Sequence, residues 1–158
     1  MLFAEYFQIY VQDSRTDETL PVFWESEHEA DLCVVTDALI AIRTARELDV
    51  PVTVTVADSK PEDEEPLDDW DHAIECSLNV PSGAVMIAAT ANDLYEAQLI
   101  PVKPGATGVR IYWGGLNELD DEGFEGEDHY RISLWPVEKE AERPPFKILK
   151  QWTPDRFY

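Results

Sequence analysis

Apolar residues along most of this chain recur at every second position. Phe7, Ile9 and Val11 alternate with Tyr6, Gln8 and Tyr10; Val52, Val54 and Val56 with Thr53 and Thr55; Ile74, Cys76, Leu78 and Val80 with Glu75, Ser77 and Asn79. The same period runs through Val85, Ile87 and Ala89, through Val109, Ile111 and Trp113, and through Tyr130, Ile132 and Leu134. A strand turns successive side chains to opposite faces, so this period predicts strands with one face buried. The β-branched and aromatic bias of the runs points the same way. Pro81, Ser82 and Gly83, set between two of the runs, predict a hairpin turn.

One stretch fits two patterns. From Glu29 to Leu48 the positions Leu32, Val35, Leu39 and Ile42 also make a helical stripe, with Ala38, Ala41 and Ala45 favouring helix. Thr36, Asp37 and Ala38 read as a turn, however, and the favoured prediction is two short strands, the second from Leu39 to Thr44. A single helical turn capped by Asn92 is predicted over Asn92 to Glu96. Many short strands joined by Pro and Gly predict an all-β fold: one domain over residues 1–158, an antiparallel β-sandwich, with a jelly-roll-like strand order as a candidate arrangement. Two connections are long, Asp58 to Asp71 and Gly114 to Asp128. Loops of that size are usually either functional or mobile.

Charge sharpens this picture. Lys and Arg number 12 against 33 Asp and Glu, a net charge of −21. An aromatic content of 11% and a hydrophobic content of 44% belong to a globular chain rather than to a disordered acidic tail. The excess carboxylates gather in the two long connections. The first holds Asp63, Glu64, Glu65, Asp68 and Asp69 around Trp70; the second holds Asp120, Asp121, Glu122, Glu125 and Glu127 with no basic residue. Such loops are either solvated trim that aids solubility or a docking surface for a cationic protein cleft. Trp70, flanked by Asp68, Asp69 and Asp71, suits an interface anchor. Nucleic acid is disfavoured as a ligand, because neutralising phosphates takes a basic patch.

No catalytic signature emerges, and neither a cofactor nor a metal is expected. An EF-hand register from Asp121 places Glu125 and Gly126 correctly but puts Gly123 third and Ile132 twelfth, where carboxylates are needed. A looser calcium site from Asp120, Glu122 and Glu125 is the remaining metal alternative. His28, His72 and His129 each neighbour a carboxylate but show no metal-ligand spacing. Ser14, Ser59 and Ser82 lack a nucleophile elbow, and Gly114 and Gly115 read as a strand end rather than a phosphate loop. Cys33 and Cys76, in apolar strand-like surroundings, are expected to be buried free thiols. Residues 1–10 carry Glu5 and no Lys or Arg, and no apolar run reaches membrane-spanning length, so a cytoplasmic protein without membrane contact is expected. The aromatics Trp24, Trp70, Trp113, Trp135, Trp152, Tyr6, Tyr10, Tyr112 and Tyr130 support a rival function, a carbohydrate-binding module that stacks sugars on exposed rings.

The opening strand that ends in Asp13 and Ser14, the following Pro21, Phe23 and Trp24, the Val-rich strand, and the run Tyr130-Arg131-Ile132-Ser133-Leu134-Trp135-Pro136 together resemble the competence protein J family. The resemblance covers much of the chain through scattered apolar and turn positions. Members of that family are described as inhibitors of the DNA-entry nuclease. The resemblance therefore implies a nuclease partner, and the charge fits this independently: a nuclease that grips DNA has a basic cleft, which carboxylates standing where phosphates would lie can occupy without chemistry of their own.

Overall fold

The computed structural model describes residues 2–3, 8–16, 30–45, 49–62, 65–88, 98–117, 126–139 and 142–153. Their strands are β1 (Leu2–Phe3), β2 (Gln8–Asp13), β3 (Cys33–Val35), β4 (Leu39–Arg43), β5 (Asp49–Val50), β6 (Val52–Val56), β7 (His72–Val80), β8 (Ala84–Ala88), β9 (Gln98–Pro101), β10 (Gly105–Gly114), β11 (His129–Pro136) and β12 (Lys147–Lys150). They form two five-stranded sheets, β3-β4-β2-β8-β9 and β12-β7-β10-β11-β6, beside the short pair β1-β5. The all-β sandwich predicted from the alternation is the observed architecture. The helical turn expected at Asn92–Glu96 lies outside the described residues.

The inner faces of the two sheets make one core. Ile9, Val11, Ile40, Ile42, Val85 and Ile87 of the first sheet meet Ile74, Cys76, Leu78, Val109, Ile111, Trp113, Tyr130, Ile132 and Leu134 of the second. Removing a large apolar side chain from water contributes about 1.5–3 kcal/mol, so these rows are what holds the layers together. The ambiguous stretch resolves as β3 and β4, an antiparallel hairpin whose turn is closed by Thr36, its N–H and its hydroxyl both donating to the Leu39 carbonyl. Cys33 and Cys76 are buried and unpaired with each other. Burial, helped by the neighbouring Glu75, pushes the Cys76 thiol up to about 12, and burial together with Cys76 raises that of Cys33 further.

The hairpin expected across Pro81-Ser82-Gly83 is not one. β7 pairs with β10 and β12, whereas β8 pairs with β2 and β9, so the turn carries the chain from one sheet to the other. Alternation cannot separate the two cases, because both strands aim their apolar set at the same core from opposite layers. The corner is held by Asp13, which is 3% exposed. Its Oδ1 accepts from the Ser82 N–H at 3.1 Å and from the Ser82 hydroxyl at 2.5 Å. Gly83, at φ 77°, then takes the left-handed conformation that lets the chain turn.

One pair departs from antiparallel order: β6 lies parallel to β11, from Val52 opposite Tyr130 to Val56 opposite Leu134. β7 is antiparallel to β10, which is antiparallel to β11, so β6 and β7 run the same way. The connection between two such strands must return along the full sheet. That return path is the first acidic loop.

Candidate functional site

The loop leaves β6 with the Ala57 N–H donating to the Leu134 carbonyl, 2.8 Å, and then lies as a strap over the outer face of the second sheet. The face beneath it follows from strand register. Glu75, Arg110, Ser133 and Thr55 form one row across four strands, and Ala73, Tyr112, Arg131 and Thr53 the next but one. Arg110 holds the strap. Its guanidinium, 1% exposed, donates through Nη1 to the Glu62 carbonyl at 3.0 Å and to Glu65 Oε2 at 2.9 Å, and through Nη2 to Glu75 Oε1 at 2.7 Å. Lys60 Nζ stands 3.6 Å from the other oxygen of Glu75. Tyr112 adds its hydroxyl to Glu65 Oε2 at 2.6 Å, and Lys150 donates to the Leu67 carbonyl at 3.0 Å from the opposite side.

A buried cation is tolerated only when its donors are matched by carboxylates. Burial works against the Arg110 charge, but Glu75 and Glu65 outweigh it and raise its pKa above the ordinary guanidinium value. Burial, then the adjoining Glu65, pushes the Tyr112 phenol up to about 12, so it stays protonated and donates. Trp70 closes the far end of the strap, its ring centroid 5.1 Å from that of Tyr112 and 5.1 Å from that of His129. Arg131 covers Tyr112 as well, with its Cζ 5.5 Å from the ring centre.

The two acidic connections meet at one end of the sheet. Asp71 donates its N–H to the Trp113 carbonyl and accepts from the Leu116 N–H at 2.8 Å, which ties the end of the strap to the start of the second loop. At the other side of that loop His129 Nδ1 donates to the Glu127 carbonyl at 2.9 Å while its ring touches Trp70. Asp128 is 1% exposed and accepts from the Tyr130 hydroxyl, which in turn accepts from the Ala45 N–H of the other sheet. β10 ends at Gly114 as expected. A side chain on Gly114 would collide with the His129 imidazole, and Gly115 turns at φ 64° against the Glu127 carbonyl.

His72 sits at this same end but faces inward. Its Nε2 donates to the Asp31 carbonyl at 2.7 Å, its Nδ1 accepts from the Trp152 N–H at 3.0 Å, and its ring edge meets Trp113 at 4.8 Å. Both nitrogens are used, in the neutral form. Burial lowers its pKa, with the Asp31 carbonyl bond pulling the other way. A depressed histidine pKa means that the unfolded chain binds more protons, so stability is full above the unfolded value of about 6.5 and falls as pH drops towards the folded value. Urea midpoints taken at about pH 7.5 and about pH 5.5 should therefore differ more in the native protein than in His72→Gln. Equal differences would show that the imidazole carries its charge inside the fold.

Of the predicted docking residues, Asp68, Asp69 and Glu127 are exposed, Trp70 is half-buried, and Glu65 is turned onto Arg110 and Tyr112. Asp63, Glu64, Asp120, Asp121, Glu122 and Glu125 lie outside the described residues, as does His28. Among the described residues no three His, Cys, Asp or Glu side chains gather as metal ligands. The described aromatics form no exposed row: Tyr112, Trp113, Tyr130 and Trp135 are at most 4% exposed, and Tyr10, Trp70 and Trp152 are half-buried. Trp135 is buried because it lies flat on Gly108, where any Cβ would overlap its indole.

Sequence reasoning misses Arg110 and Glu75, and names Tyr112 only among the aromatics of the rival sugar-binding reading. They occupy the polar phase of the alternation and so read as solvent-facing. Only the length of the loop hints at their role: a connection between parallel strands of one sheet has to cross a face, and Arg110 on that face binds the Glu62 carbonyl, but which strands share a sheet is not written in any local pattern.

No protein family's sequence pattern matches the chain, and no curated protein sequence does either. Solved structures do. ComJ from Bacillus subtilis, described as the inhibitor of the DNA-degrading activity of NucA, superposes with a TM-score of 0.61 at 16% identity, over 85% of this chain and 92% of ComJ. The chain has the ComJ fold. The product of crocagin biosynthetic gene J also superposes, with a TM-score of 0.50 at 18% identity, over 84% of this chain and 92% of its own. The ComJ-like fold agrees with the family resemblance read from the strand and turn positions. No helix among the described residues is long and apolar enough to cross a membrane.

Proposed function

We propose that this chain is a non-catalytic, single-domain cytoplasmic protein that binds a basic protein partner, a nuclease, and inhibits it by presenting carboxylates in place of nucleic-acid phosphates. One observation carries the reading: two acidic connections, far apart in sequence, are anchored side by side at one end of the second sheet. A strap fixed by a buried arginine displays Asp68 and Asp69 on a rigid base, which avoids much of the ordering cost that a free acidic loop incurs on binding. The carboxylates of the second loop, Asp120, Asp121, Glu122, Glu125 and Glu127, complete the proposed patch, with Asp63 and Glu64 on the strap and Trp70 as its apolar anchor. Glu65 serves the patch by holding the strap in place. The fold shared with ComJ, itself a nuclease inhibitor by description, supports the same assignment.

The test is inhibition of DNA degradation by a basic nuclease, measured as a function of salt. Inhibition should weaken steeply as salt rises, since screening removes the long-range part of the attraction. The double reversal Asp68→Lys with Asp69→Lys should weaken it about tenfold or more at low salt, mostly through slower association. An inhibitor that is indifferent both to salt and to these reversals acts by another route, and the polyanion reading then fails.

A further inference from the structure

A sheet edge is a template for another strand, and most edges here are blunted. β12 carries Lys147 and Lys150 and a register shift between Ile148 and Lys150. β9 ends in Pro101, and β3 is only three residues long. Short length, lysine, proline and bulges are the usual defences against edge pairing. β6 has none of them. Its sequence, Val-Thr-Val-Thr-Val, is five β-branched residues without charge or irregularity, and it is the outermost strand of its sheet.

The hydrogen-bonding phase of β6 is fixed by its neighbours. Tyr130 donates to the Pro51 carbonyl and Ala57 donates to the Leu134 carbonyl, so the odd-numbered residues address β11. The backbone N–H and C=O of Val52, Val54 and Val56 therefore point away from the sheet. The side chains of these valines share a face with Tyr130, Ile132 and Leu134, yet Val52 and Val54 are only partly buried and Val56 is 53% exposed. Both the donors and the apolar row stop short at this edge.

We propose that β6 accepts an extended segment of the basic partner as an added strand, with alternating apolar and Lys or Arg side chains. The apolar set continues the Val54 and Val56 row. The basic set lies beside Thr53 and Thr55 on the outer face, the side on which the strap follows with exposed Asp58, Glu62, Asp68 and Asp69. Charge selects this occupant over a second copy of the chain, since two copies each carrying −21 repel. The inference rests on the proposed basic partner and adds how that partner is held.

The experiment uses a synthetic peptide alternating valine and lysine over about seven residues, and the same peptide N-methylated at alternate positions, which keeps the charge but cannot pair. On the full chain the unmodified peptide should slow amide exchange at Val52, Val54 and Val56 and bind about tenfold more tightly than the methylated one. Val56→Pro should abolish that difference, while reversal of Asp68 and Asp69 should weaken both peptides alike. Equal affinity of the two peptides for the native chain, or protection elsewhere than β6, overturns the inference, as does a dimer that protects β6 without peptide. Peptide pairing without inhibition of any basic nuclease removes the proposed function and leaves the edge assignment standing. Nuclease inhibition that Val56→Pro does not reduce, with the Val54 amide unprotected in the complex, removes the edge assignment alone.

Discussion

Arg110→Ala is expected to lower the free energy of unfolding by about 3–5 kcal/mol, because it leaves the buried Glu75 carboxyl group without its main partner beneath the strap. Glu75 is 5% exposed, so water cannot take over the role of the guanidinium. Glu65, whose side chain is 28% exposed, can turn outward, and Lys60 reaches Glu75 only at 3.6 Å. The strap should then detach, and limited proteolysis should cut within residues 58–71, where the native chain resists. Replacing both members of the buried pair by apolar residues, Arg110→Met with Glu75→Leu, should recover most of the loss, since an apolar pair of similar volume carries no desolvation cost. Urea unfolding of the three proteins decides the matter. A single variant within about 1 kcal/mol of native would mean that the network is worth no more than an exposed ion pair.

Trp113→Ala should be comparably damaging, at about 3–5 kcal/mol. The indole is fully buried in the common core, and its Nε1 donates to the Arg43 carbonyl of the opposite sheet at 2.8 Å. It also forms the wall against which His72 rests. Truncation opens a cavity where β4, β7 and β10 converge and leaves a carbonyl without its donor. Trp113→Phe keeps most of the volume but not the donor, so its cost should be smaller, about 1–3 kcal/mol. Denaturant titration measures both, and an alanine variant no worse than the phenylalanine one would show that packing contributes little here.

These two residues show how far the sequence could be read. Trp113 belongs to the apolar phase of its strand, and its place in the core was legible from period alone. Arg110 stands three positions earlier in the opposite phase, and the same rule sent it to solvent. The rule fails there because it assumes that the outer face of a sheet is bare, whereas a parallel strand pair obliges the chain to cross that face. Parallel pairing of β6 with β11 depends on contacts nearly eighty residues apart, and no local pattern encodes it. The corner at Pro81-Ser82-Gly83 eluded reading for a related reason, since turn chemistry specifies a change of direction but not which layer receives the next strand. The gathering of carboxylates into two loops was visible in the sequence. Their anchorage at one end of a sheet required Asp71, Leu116, Trp70 and His129 to be seen together.

The strap has a further consequence. Its ends are set by strand register, which asks it to span roughly 20–25 Å along and across the sheet, and its grip depends on the Glu62 carbonyl, Glu65, the Leu67 carbonyl and Trp70. Lys60 and Asp71 add to that grip through Glu75 and the Leu116 N–H, whereas the exposed side chains of Asp58, Asp68 and Asp69 are not among the groups that hold the strap. On the proposed function, attachment and recognition would thus be written in separate letters of the same segment, so a new specificity would need only the second set respelled while the scaffold below stays untouched.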